Sequence, residues 1–502
     1  MRVLPLARIA LVETPALSDA DAIVMELPAR GAIRWKRSRY THTIEIEGGG
    51  LLYNGRTGAL VELSAGAFAT ARHALDAGLG SAGSLQDFSE GSLAAHLAAG
   101  GFVVRDDVDE LAILETQYEQ ERQRSQFLLT ILPTFGCNLG CEYCFVGKKK
   151  GGMSHETQER LVAFAARRLT EHTVPSMNVD WFGGEPLLAP HVIEYLSAQF
   201  QTFCASAGVP YRAQVITNGT VITPRIAKIL HAAGVDRLQI TLDGPATIHD
   251  ARRPYKSGTH SSFAATIDSL QYVVGDFVIR LRINVDVRNI DHVWPLLDLF
   301  AERGWLGAET QFYPYLARIS PFTEACASVA GHVCSMDEFY AVQFRWMERL
   351  QALGVPVTAQ GLYQFPEPKL YNCGAVGANG FVFTPEGEIH KCGLAVDDSR
   401  ESVGQLASGL DAGRMAKWAD YSPFRHPVCR ECEFLPTCLG GCPRNQMERR
   451  EVQIKENCTY HKQFEQQVLL FHLGHRPTLP TAGHMPSADR GRTRRELPVL
   501  SG

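Results

Sequence analysis

The fold is decided by one short stretch of sequence, Cys137-Asn138-Leu139-Gly140-Cys141-Glu142-Tyr143-Cys144, which follows an apolar strand-like run at 127–132. Three thiols on one short loop can bind three irons of a [4Fe–4S] cluster and leave the fourth iron open. An open coordination position suits a reactive metal centre, whereas a structural site fills every position. A zinc loop that lacks one ligand is the alternative. The stretch therefore predicts a metal centre on Cys137, Cys141 and Cys144.

Strand-like and helix-like segments alternate from residue 127 onward. Short apolar runs lie at 127–132, 177–181, 212–217, 237–242, 278–285 and 309–313, and segments with helical spacing, such as 155–170, separate them. This alternation favours right-handed βαβ crossovers and a parallel sheet. Six such units favour a partial barrel over a complete eight-stranded one. Since the active sites of parallel barrels form at the C-terminal ends of strands, the cysteine loop is well placed for catalysis.

The cysteine spacing, with Tyr143 before the last cysteine, resembles the cluster loop of the radical S-adenosylmethionine (SAM) enzymes. Further matches to that family lie at 181–186 (Trp-Phe-Gly-Gly-Glu-Pro), 217–219 and 241–245. The resemblance implies a SAM-binding [4Fe–4S] cluster on the three cysteines. It also implies contacts with SAM from Tyr143, Gly183, Gly184, Glu185, Asn218, Thr241 and Arg253.

Elementary chemistry supports parts of this assignment. Glycines let a backbone approach a ligand closely, and a carboxylate suits the ammonium group of methionine. The alternative for 183–185 is an ordinary turn. The alternative for Arg252 and Arg253 is a pair of solvated loop charges.

A second group of cysteines consists of Cys373, Cys392, Cys429, Cys432, Cys438, Cys442 and Cys458. Paired CxxC-type spacing by itself is most typical of zinc. The order and spacing resemble the SPASM extension of peptide-modifying radical SAM enzymes. That resemblance implies two auxiliary [4Fe–4S] clusters, the first on Cys373, Cys392 and Cys442, and the second on Cys429, Cys432, Cys438 and Cys458. Zinc stays the alternative for this segment.

Two departures from the sulfatase maturases narrow the prediction. Those relatives carry an aspartate base directly after the cysteine that matches Cys392, whereas Gly393 stands here. Formylglycine formation would need a base from elsewhere, such as Asp397 or Asp398, and we assign no catalytic base. The relatives also have an extra cysteine after the one matching Cys373, which is absent here. The first auxiliary cluster is therefore expected to have a free iron that suits a substrate thiolate.

The chain is predicted to be an α/β protein with several units. They are an N-terminal α+β unit at 1–115, a linker at 116–126, a partial (β/α)6 radical SAM barrel at 127–320, a helical bridge at 321–372, a cysteine-rich SPASM unit at 373–462 and a disordered tail at 476–502. Little periodicity marks 373–462, which favours metal over an apolar core there. The N-terminal unit resembles the winged-helix-like element that recognises leader peptides, which a strand edge binds by β-augmentation. An inert cap on the barrel is the alternative.

Composition excludes several classes of protein. The 502 residues include 49 basic and 54 acidic side chains, and the net charge of −5 argues against nucleic-acid binding through bulk positive charge. No apolar stretch approaches the roughly 20 residues of a membrane helix. Pro5 and Arg8 interrupt the apolar N-terminus, so no secretory signal is expected and the chain is predicted to be cytoplasmic. In that compartment the thirteen cysteines favour metal sites over disulfides.

The predicted function is that of a radical SAM/SPASM peptide maturase. The family resemblance implies reductive cleavage of SAM and a 5′-deoxyadenosyl radical that modifies a ribosomally synthesised peptide through a thioether or carbon–carbon crosslink. Its expected partners are a precursor peptide and an electron donor such as flavodoxin or ferredoxin. The alternatives are sulfatase-type formylglycine formation, radical oxidation of a small molecule, and a non-enzymatic, zinc-stabilised peptide-binding scaffold.

Overall fold

The computed structural model describes residues 34–77, 93–146, 149–258, 260–307, 309–357 and 366–475. The predicted disordered tail at 476–502 and the first part of the predicted N-terminal unit lie outside the described residues. Within the described ranges, none of the helices combines the length and the apolar composition that crossing a bilayer requires.

The N-terminal part forms two small antiparallel sheets beside short helices. Its elements are β1 (Trp35–Arg37), β2 (Thr41–Ile46), β3 (Gly49–Asn54), β4 (Leu60–Ser64), α1 (Ala65–Ala77), α2 (Leu93–Ala99) and β5 (Val103–Arg105). Strands β2, β3 and β4 form one sheet in that order, and β1 pairs with β5. Strands β2 and β3 form an antiparallel hairpin across residues 41–54. The connecting helix α3 (Glu110–Gln123) begins earlier than the predicted linker, because Asp109 caps its N-terminus.

Six consecutive parallel strands form the centre of the molecule, which confirms the predicted α/β class and partial barrel. They are β6 (Phe127–Ile131), β7 (Met177–Trp181), β8 (Tyr211–Thr217), β9 (Val235–Thr241), β10 (Val278–Val285) and β11 (Phe312–Arg318). Neighbours in the sheet are also neighbours in sequence, from β11 at one edge to β6. The helices between them are α4 (His155–Glu171), α5 (Pro190–Ala207), α6 (Pro224–Ala232), α7 (Ala246–Arg252), α8 (Ser262–Leu270) and α9 (Trp294–Glu302).

Helix α4 illustrates why these segments form helices that pack on the sheet. Ser154 caps its N-terminus by accepting a hydrogen bond of 3.1 Å from the Thr157 amide. Leu161, Phe164 and Ala165 recur at helical spacing and are buried against the strands. The strands show the complementary period of two: Leu129, Val179 and Val215 are among the side chains packed in this core.

The sixth strand was predicted at 309–313, and that position is wrong. Gln311 has a φ of 50°, a left-handed turn conformation that a strand cannot contain. The strand therefore begins at Phe312 and runs to Arg318. The strand contains Pro314, which cannot donate a backbone hydrogen bond. An edge position, which β11 occupies, tolerates this residue.

Helix α10 (Met336–Ala352) forms the predicted bridge to the cysteine-rich part. There β12 (Gly380–Phe383) pairs in parallel with β6, and β13 (Glu388–His390), β14 (Gly404–Gln405) and β15 (Gly409–Leu410) extend the same sheet in antiparallel fashion. The chain continues through α11 (Ala412–Ala419), α12 (Pro427–Arg430), α13 (Leu435–Cys438), α14 (Pro443–Met447), α15 (Glu451–Thr459), a π-helical turn (Tyr460–Phe464) and α16 (Glu465–His472).

The cysteine-rich part has an apolar core, contrary to the expectation that metal alone stabilises it. Phe383, Phe424, Leu435 and Phe464 are almost fully buried and belong to the same core as the barrel. Short helices and sheet extension, rather than one long periodic element, supply these side chains, which is why the sequence pattern did not predict this core.

Candidate active site

The loop between β6 and α4 carries three thiols at the C-terminal edge of the parallel sheet. Cys137 and Cys141 are partly buried and Cys144 is exposed. Burial raises the pKa of Cys137, and it raises that of Cys141 to about 11. Neighbouring cysteines of the loop raise both pKa values further, so the three thiols share one site, whereas Arg253 lowers the pKa of Cys141. A cationic metal centre would lower the pKa values of these thiols and favour the thiolate form.

The segment after β7 lies directly against this loop. The Gly184 amide donates to the carbonyl of Thr134 at 3.1 Å, and the Glu185 amide donates to that of Gly136 at 2.8 Å. A Cβ atom at Gly184 would lie 2.2 Å from the Gly136 carbonyl oxygen, and Gly183 has a φ of 127°. The glycines are thus required because two backbone segments contact each other closely here. The sequence had suggested a different reason, close approach of the backbone to a ligand.

The Glu185 carboxylate is fully buried and joins the ends of two strands. It accepts hydrogen bonds from the Leu187 amide at 3.1 Å, the Thr217 hydroxyl at 2.7 Å and the Asn218 amide at 2.7 Å. Burial raises the pKa of this carboxyl, and the three hydrogen bonds oppose that shift. Glu185 therefore fixes the carboxyl end of β8 beside that of β7.

Asn218 connects the end of β8 to the cysteine loop. Its Nδ2 donates to Oδ1 of Asn138 at 2.8 Å and lies 3.8 Å from Sγ of Cys137. Asn138 in turn donates to the Thr220 hydroxyl at 2.8 Å. The amide side chains thus place the predicted Asn218 next to the first cysteine.

The Tyr143 hydroxyl is the centre of a buried polar network. It donates to the Asp243 carboxylate, and it accepts from Nη1 of Arg253 at 2.6 Å and from Nδ2 of Asn284 at 3.2 Å. Asp243 also accepts from the Asn284 backbone amide at 3.1 Å. Thr241, which ends β9 two residues before Asp243, is buried as well. The predicted Tyr143, Thr241 and Arg253 therefore meet at one edge of the sheet.

Arg252 and Arg253 are each only 6% exposed, so the alternative that they are solvated loop charges is wrong. Nη1 of Arg252 donates to the Asp286 carboxylate at 2.9 Å. Hydrogen bonds from Arg288 and Arg252 lower the pKa of Asp286, against the effect of burial. Arg288 then pairs with Glu142 inside the cysteine loop, with Nη1 and Oε2 3.1 Å apart.

Four of the seven cysteines in the C-terminal part line one pocket, and the other three are Cys373, Cys392 and Cys442. Burial raises the pKa of Cys373, and it raises that of Cys392 to about 11; Cys442 raises both further. The charges of these three thiols therefore influence one another. The Lys391 ammonium donates to the carbonyls of Gly377 and Gly380, both at 2.7 Å, and so closes the loop that follows Cys373.

The pocket contains the other four thiols. Burial raises the pKa of Cys429 to about 12, with further contributions from its neighbours Cys438, Cys458 and Cys432. Cys438 differs, because hydrogen bonds from His461 and Asn457 outweigh burial and lower its pKa. Nδ2 of Asn457 lies 3.1 Å from its sulfur. His461 and Asn457 line the pocket too.

Comparisons with known proteins agree with this geometry. The family model described as "Radical SAM superfamily" matches residues 131–299. The serine-type anaerobic sulfatase-maturating enzyme of Klebsiella aerogenes is 24% identical over 326 residues, which cover 61% of this chain and 77% of the relative. Mycofactocin maturase MftC of Mycobacterium tuberculosis is 26% identical over 330 residues, covering 62% and 76%. Residues 131–299 are a radical SAM domain.

A solved structure shares the fold of this radical SAM enzyme. Native anSMEcpe with bound AdoMet aligns with a TM-score of 0.51 at 19% identity, and the alignment covers 69% of this chain and 97% of that one. The alternative of a non-enzymatic scaffold does not agree with membership of an enzyme superfamily.

The residues of this radical SAM enzyme suit the cofactors that its family implies. Each cysteine set offers three or four thiols, the ligands that iron–sulfur clusters use. In the described residues, no three cysteine, histidine or carboxylate side chains are grouped closely enough to hold a single metal ion. A [4Fe–4S] cluster takes one thiolate per iron and so suits a wider arrangement of thiols.

The position after Cys392 provides no base. Gly393 starts a short 3-10 turn, and the Asp398 carboxylate accepts from Nε of Arg400 at 2.8 Å. The Asp397 side chain makes no hydrogen bond or ion pair with the residues that the structure describes. The residues that the sequence analysis missed are Asp243, Asn284, Asp286, Asn457 and His461. The first three were detectable as polar side chains at or just beyond the carboxyl ends of β9 and β10, where Thr241 also lies.

Proposed function

We propose that this radical SAM enzyme is a peptide maturase that forms a thioether or carbon–carbon crosslink in a ribosomally synthesised precursor. The observation that carries the proposal is the convergence of three thiols with half-buried Tyr143 and buried Glu185 and Arg253 at the carboxyl edge of the parallel sheet. The names of the relatives from Klebsiella aerogenes and Mycobacterium tuberculosis, both maturases, support a macromolecular substrate.

In this proposal Cys137, Cys141 and Cys144 hold the SAM-binding cluster and leave one iron open. SAM binds against Tyr143, Gly183, Gly184, Glu185, Asn218, Thr241 and Arg253. When bound and reduced, this pair of cofactors supplies the 5′-deoxyadenosyl radical that removes a hydrogen atom from the peptide. The protein binds and orients the reactants and excludes side reactions.

The individual roles follow from the contacts. Arg253 is a buried cation whose Nε has no acceptor among the described residues, so it suits the carboxylate of SAM. Glu185 and Asn218 hold the strand ends against the cysteine loop and keep the site in register. Exposed Cys144 keeps the loop accessible to the electron donor, a flavodoxin or ferredoxin.

We assign the first auxiliary cluster to Cys373, Cys392 and Cys442, and the second to Cys429, Cys432, Cys438 and Cys458. These cysteines would hold clusters able to take up the surplus electron of the crosslinking step. Three thiols leave one iron of the first cluster free for a substrate thiolate. No base is assigned, because Gly393 stands where the sulfatase maturases have one.

The N-terminal unit at 1–115 binds the leader of the precursor in this proposal. In the described residues β2 pairs only with β3, so its outer edge offers unpaired backbone groups to an extended peptide. This reaction needs the reducing interior of the cell, so we place the enzyme in the cytoplasm.

Formylglycine formation is the second candidate, because the Klebsiella relative is a sulfatase-maturating enzyme. Two features disfavour it: Gly393 offers no carboxylate base, and the Asp398 carboxylate is already paired with Arg400. Incubation with a sulfatase-derived peptide distinguishes the two: a formylglycine product supports the second candidate.

The first test is anaerobic incubation of the reduced, cluster-loaded enzyme with SAM, followed by detection of 5′-deoxyadenosine. We expect about twelve irons per chain and product formation in the wild type. The triple variant Cys137→Ala, Cys141→Ala, Cys144→Ala should make none, whereas Cys204→Ala, a core cysteine away from the loop, should remain active. Absence of 5′-deoxyadenosine from the wild type would refute the proposal.

The second test is co-expression with candidate precursor peptides and mass spectrometry of the peptide. One crosslink removes two hydrogen atoms, so we expect a loss of two mass units that is absent with the triple variant. Peptides that stay unmodified while 5′-deoxyadenosine forms would instead favour a small-molecule substrate.

A further inference from the structure

The parallel strands have two faces of opposite character. On the outer face, Leu238, Ile240, Ile279 and Leu281 are fully buried under the helices. The alternating residues of the other face, here called the inner face, are only half-buried, and they include Asp180, Gln214, Arg237, Gln239, Arg280, Arg282 and Tyr315. An apolar outer face and a polar inner face are expected of a barrel whose interior receives a ligand.

Register places three arginines together on this inner face. Arg280 lies opposite Gln239 on one neighbouring strand and Tyr313 on the other. Arg282 lies opposite Thr241, one of the residues assigned to SAM, and Tyr315. Arg237 lies on β9, near the other end of the strands. The arginines therefore follow β9 and β10 up to the proposed cofactor site.

The charges of the inner face do not balance. Among the strand residues that the structure describes, Asp180 is the one carboxylate of this face, and it accepts from the Gln214 side chain at 2.7 Å. Burial raises its pKa, and the positive charge of Arg237 opposes that shift. Arg282 donates from Nε to the neutral side chain of Asn284 at 2.7 Å. Two of the three arginines thus lack a carboxylate that would neutralise them on this face.

Arg280 is the least satisfied of the three. Its guanidinium stacks over the Tyr315 ring at 5.6 Å, and its Nε has no acceptor among the residues that the structure describes. Burial lowers its pKa, and the positive charges of Arg237 and Arg282 add to that shift. Half-buried guanidinium groups without an anion are costly, whereas an arginine–carboxylate pair with two hydrogen bonds is favourable and geometrically specific.

We propose that the inner face recognises a carboxylate of the peptide substrate, which Arg280 and Arg282 bind beside the SAM site. The carboxylate belongs either to an acidic side chain close to the modified residue or to the C-terminus of the peptide. This inference rests on the proposed function, since it assumes that the substrate is a peptide inside the barrel. It specifies the chemistry of the segment that reaches the radical.

The test uses the full-length, cluster-loaded enzyme with SAM and three octapeptides that share one glycine–alanine–serine sequence and carry an uncharged fluorophore at the N-terminus. The first contains one glutamate and an amidated C-terminus, the second contains glutamine instead and is amidated, and the third contains glutamine and a free C-terminus. Fluorescence anisotropy under anaerobic conditions gives the dissociation constant of each peptide. The variants are Arg280→Gln, Arg280→Lys and, as a control, Arg225→Gln on the exposed surface of α6.

We expect one carboxylate peptide to bind roughly tenfold or more tightly than the neutral peptide. Arg280→Gln should abolish that difference, Arg280→Lys should retain part of it, and Arg225→Gln should leave it unchanged. A preference for the first peptide identifies an acidic side chain, and a preference for the third identifies the C-terminus.

Equal binding of all three peptides, or a difference that survives Arg280→Gln, would overturn the inference. A loss of SAM affinity in Arg280→Gln would also overturn it, because the arginine would then serve the cofactor. Formation of 5′-deoxyadenosine without peptide is measured in parallel. Failure of that reaction counts against the proposed function, whereas intact cleavage with equal peptide binding counts against this inference alone.

Discussion

His249 shows how one buried side chain supports the active-site network. It is fully buried, and its Nδ1 accepts a hydrogen bond of 3.1 Å from the Asp243 backbone amide. Asp243 in turn holds the Tyr143 hydroxyl. Burial, together with the positive charge of Arg253, lowers the pKa of His249 to about 3. The imidazole is therefore neutral in the folded protein near neutral pH.

This shift predicts a pH dependence of stability. The unfolded chain binds a proton at His249 below its ordinary pKa of about 6.5, whereas the folded protein does not until about pH 3. The contribution of His249 to the free energy of unfolding is fully present above about pH 6.5. It decreases as the pH falls, by about 1.4 kcal/mol between pH 7.5 and 5.5. Urea unfolding of the wild type and of His249→Asn at both pH values measures it.

The asparagine variant keeps an oxygen acceptor for the Asp243 amide but removes the titrating group. We expect the wild type to lose about 1.4 kcal/mol more than the variant over this interval. Because the other histidines titrate in both proteins, their effects cancel in the difference. If both proteins lose the same free energy of unfolding, His249 does not cause the loss of stability between pH 7.5 and 5.5.

At the scale of elements, the contact of the 183–185 segment with the cysteine loop is the most restrictive feature of the site. A Cβ atom at Gly184 would lie 2.2 Å from the Gly136 carbonyl oxygen and 2.4 Å from that of Phe135. Backbone cannot yield by that amount without moving the loop. The proposed cluster position therefore depends on a glycine in a neighbouring β–α connection.

We predict that Gly184→Ala lowers the iron content by about four per chain and abolishes SAM cleavage, because the displaced loop no longer aligns its three thiols. The matched control is Gly152→Ala in the same loop region, where the nearest atom to the added Cβ would be 3.9 Å away. Iron and sulfide analysis of both variants tests this. Full iron content in Gly184→Ala would contradict the assignment.

At the scale of the whole molecule, the two ends of the described chain pack together. Ile44, Leu51 and Tyr53 of the N-terminal sheet share an apolar cluster with Leu469 and Leu470 of α16. The N-terminal sheet therefore rests on the segment that follows the second auxiliary site. Folding of the two parts should be thermodynamically coupled.

A double-mutant cycle measures that coupling. Leu51→Ala and Leu469→Ala should each destabilise the protein by about 2–5 kcal/mol, and the double variant should deviate from additivity by about 0.5–3 kcal/mol. Pairing Leu51→Ala with Leu238→Ala in the barrel core provides the control, since those residues belong to different clusters. Additive effects in both pairs would show that the units fold independently.

The sequence by itself determined the parallel sheet, the connecting helices and the chemistry of the cysteine loop. The three loop cysteines lie within eight residues, so they stay near one another whatever surrounds the loop. The periods of strands and helices are local properties of the sequence. The strands at 177–181 and 278–285 agree with β7 and β10 residue by residue for that reason. The strand predicted at 309–313 was misplaced because the left-handed conformation of Gln311 is a property of the backbone that the hydrophobic pattern does not encode.

Only the tertiary structure decided which polar side chains are buried and with what partner. Arg253 and Tyr143 are 110 positions apart, and their hydrogen bond forms because a sheet edge brings two loops together. The pairing of β12 with β6 and the row of arginines on the inner face likewise depend on strand register. These contacts join residues that are distant along the chain, so no local periodicity encodes them.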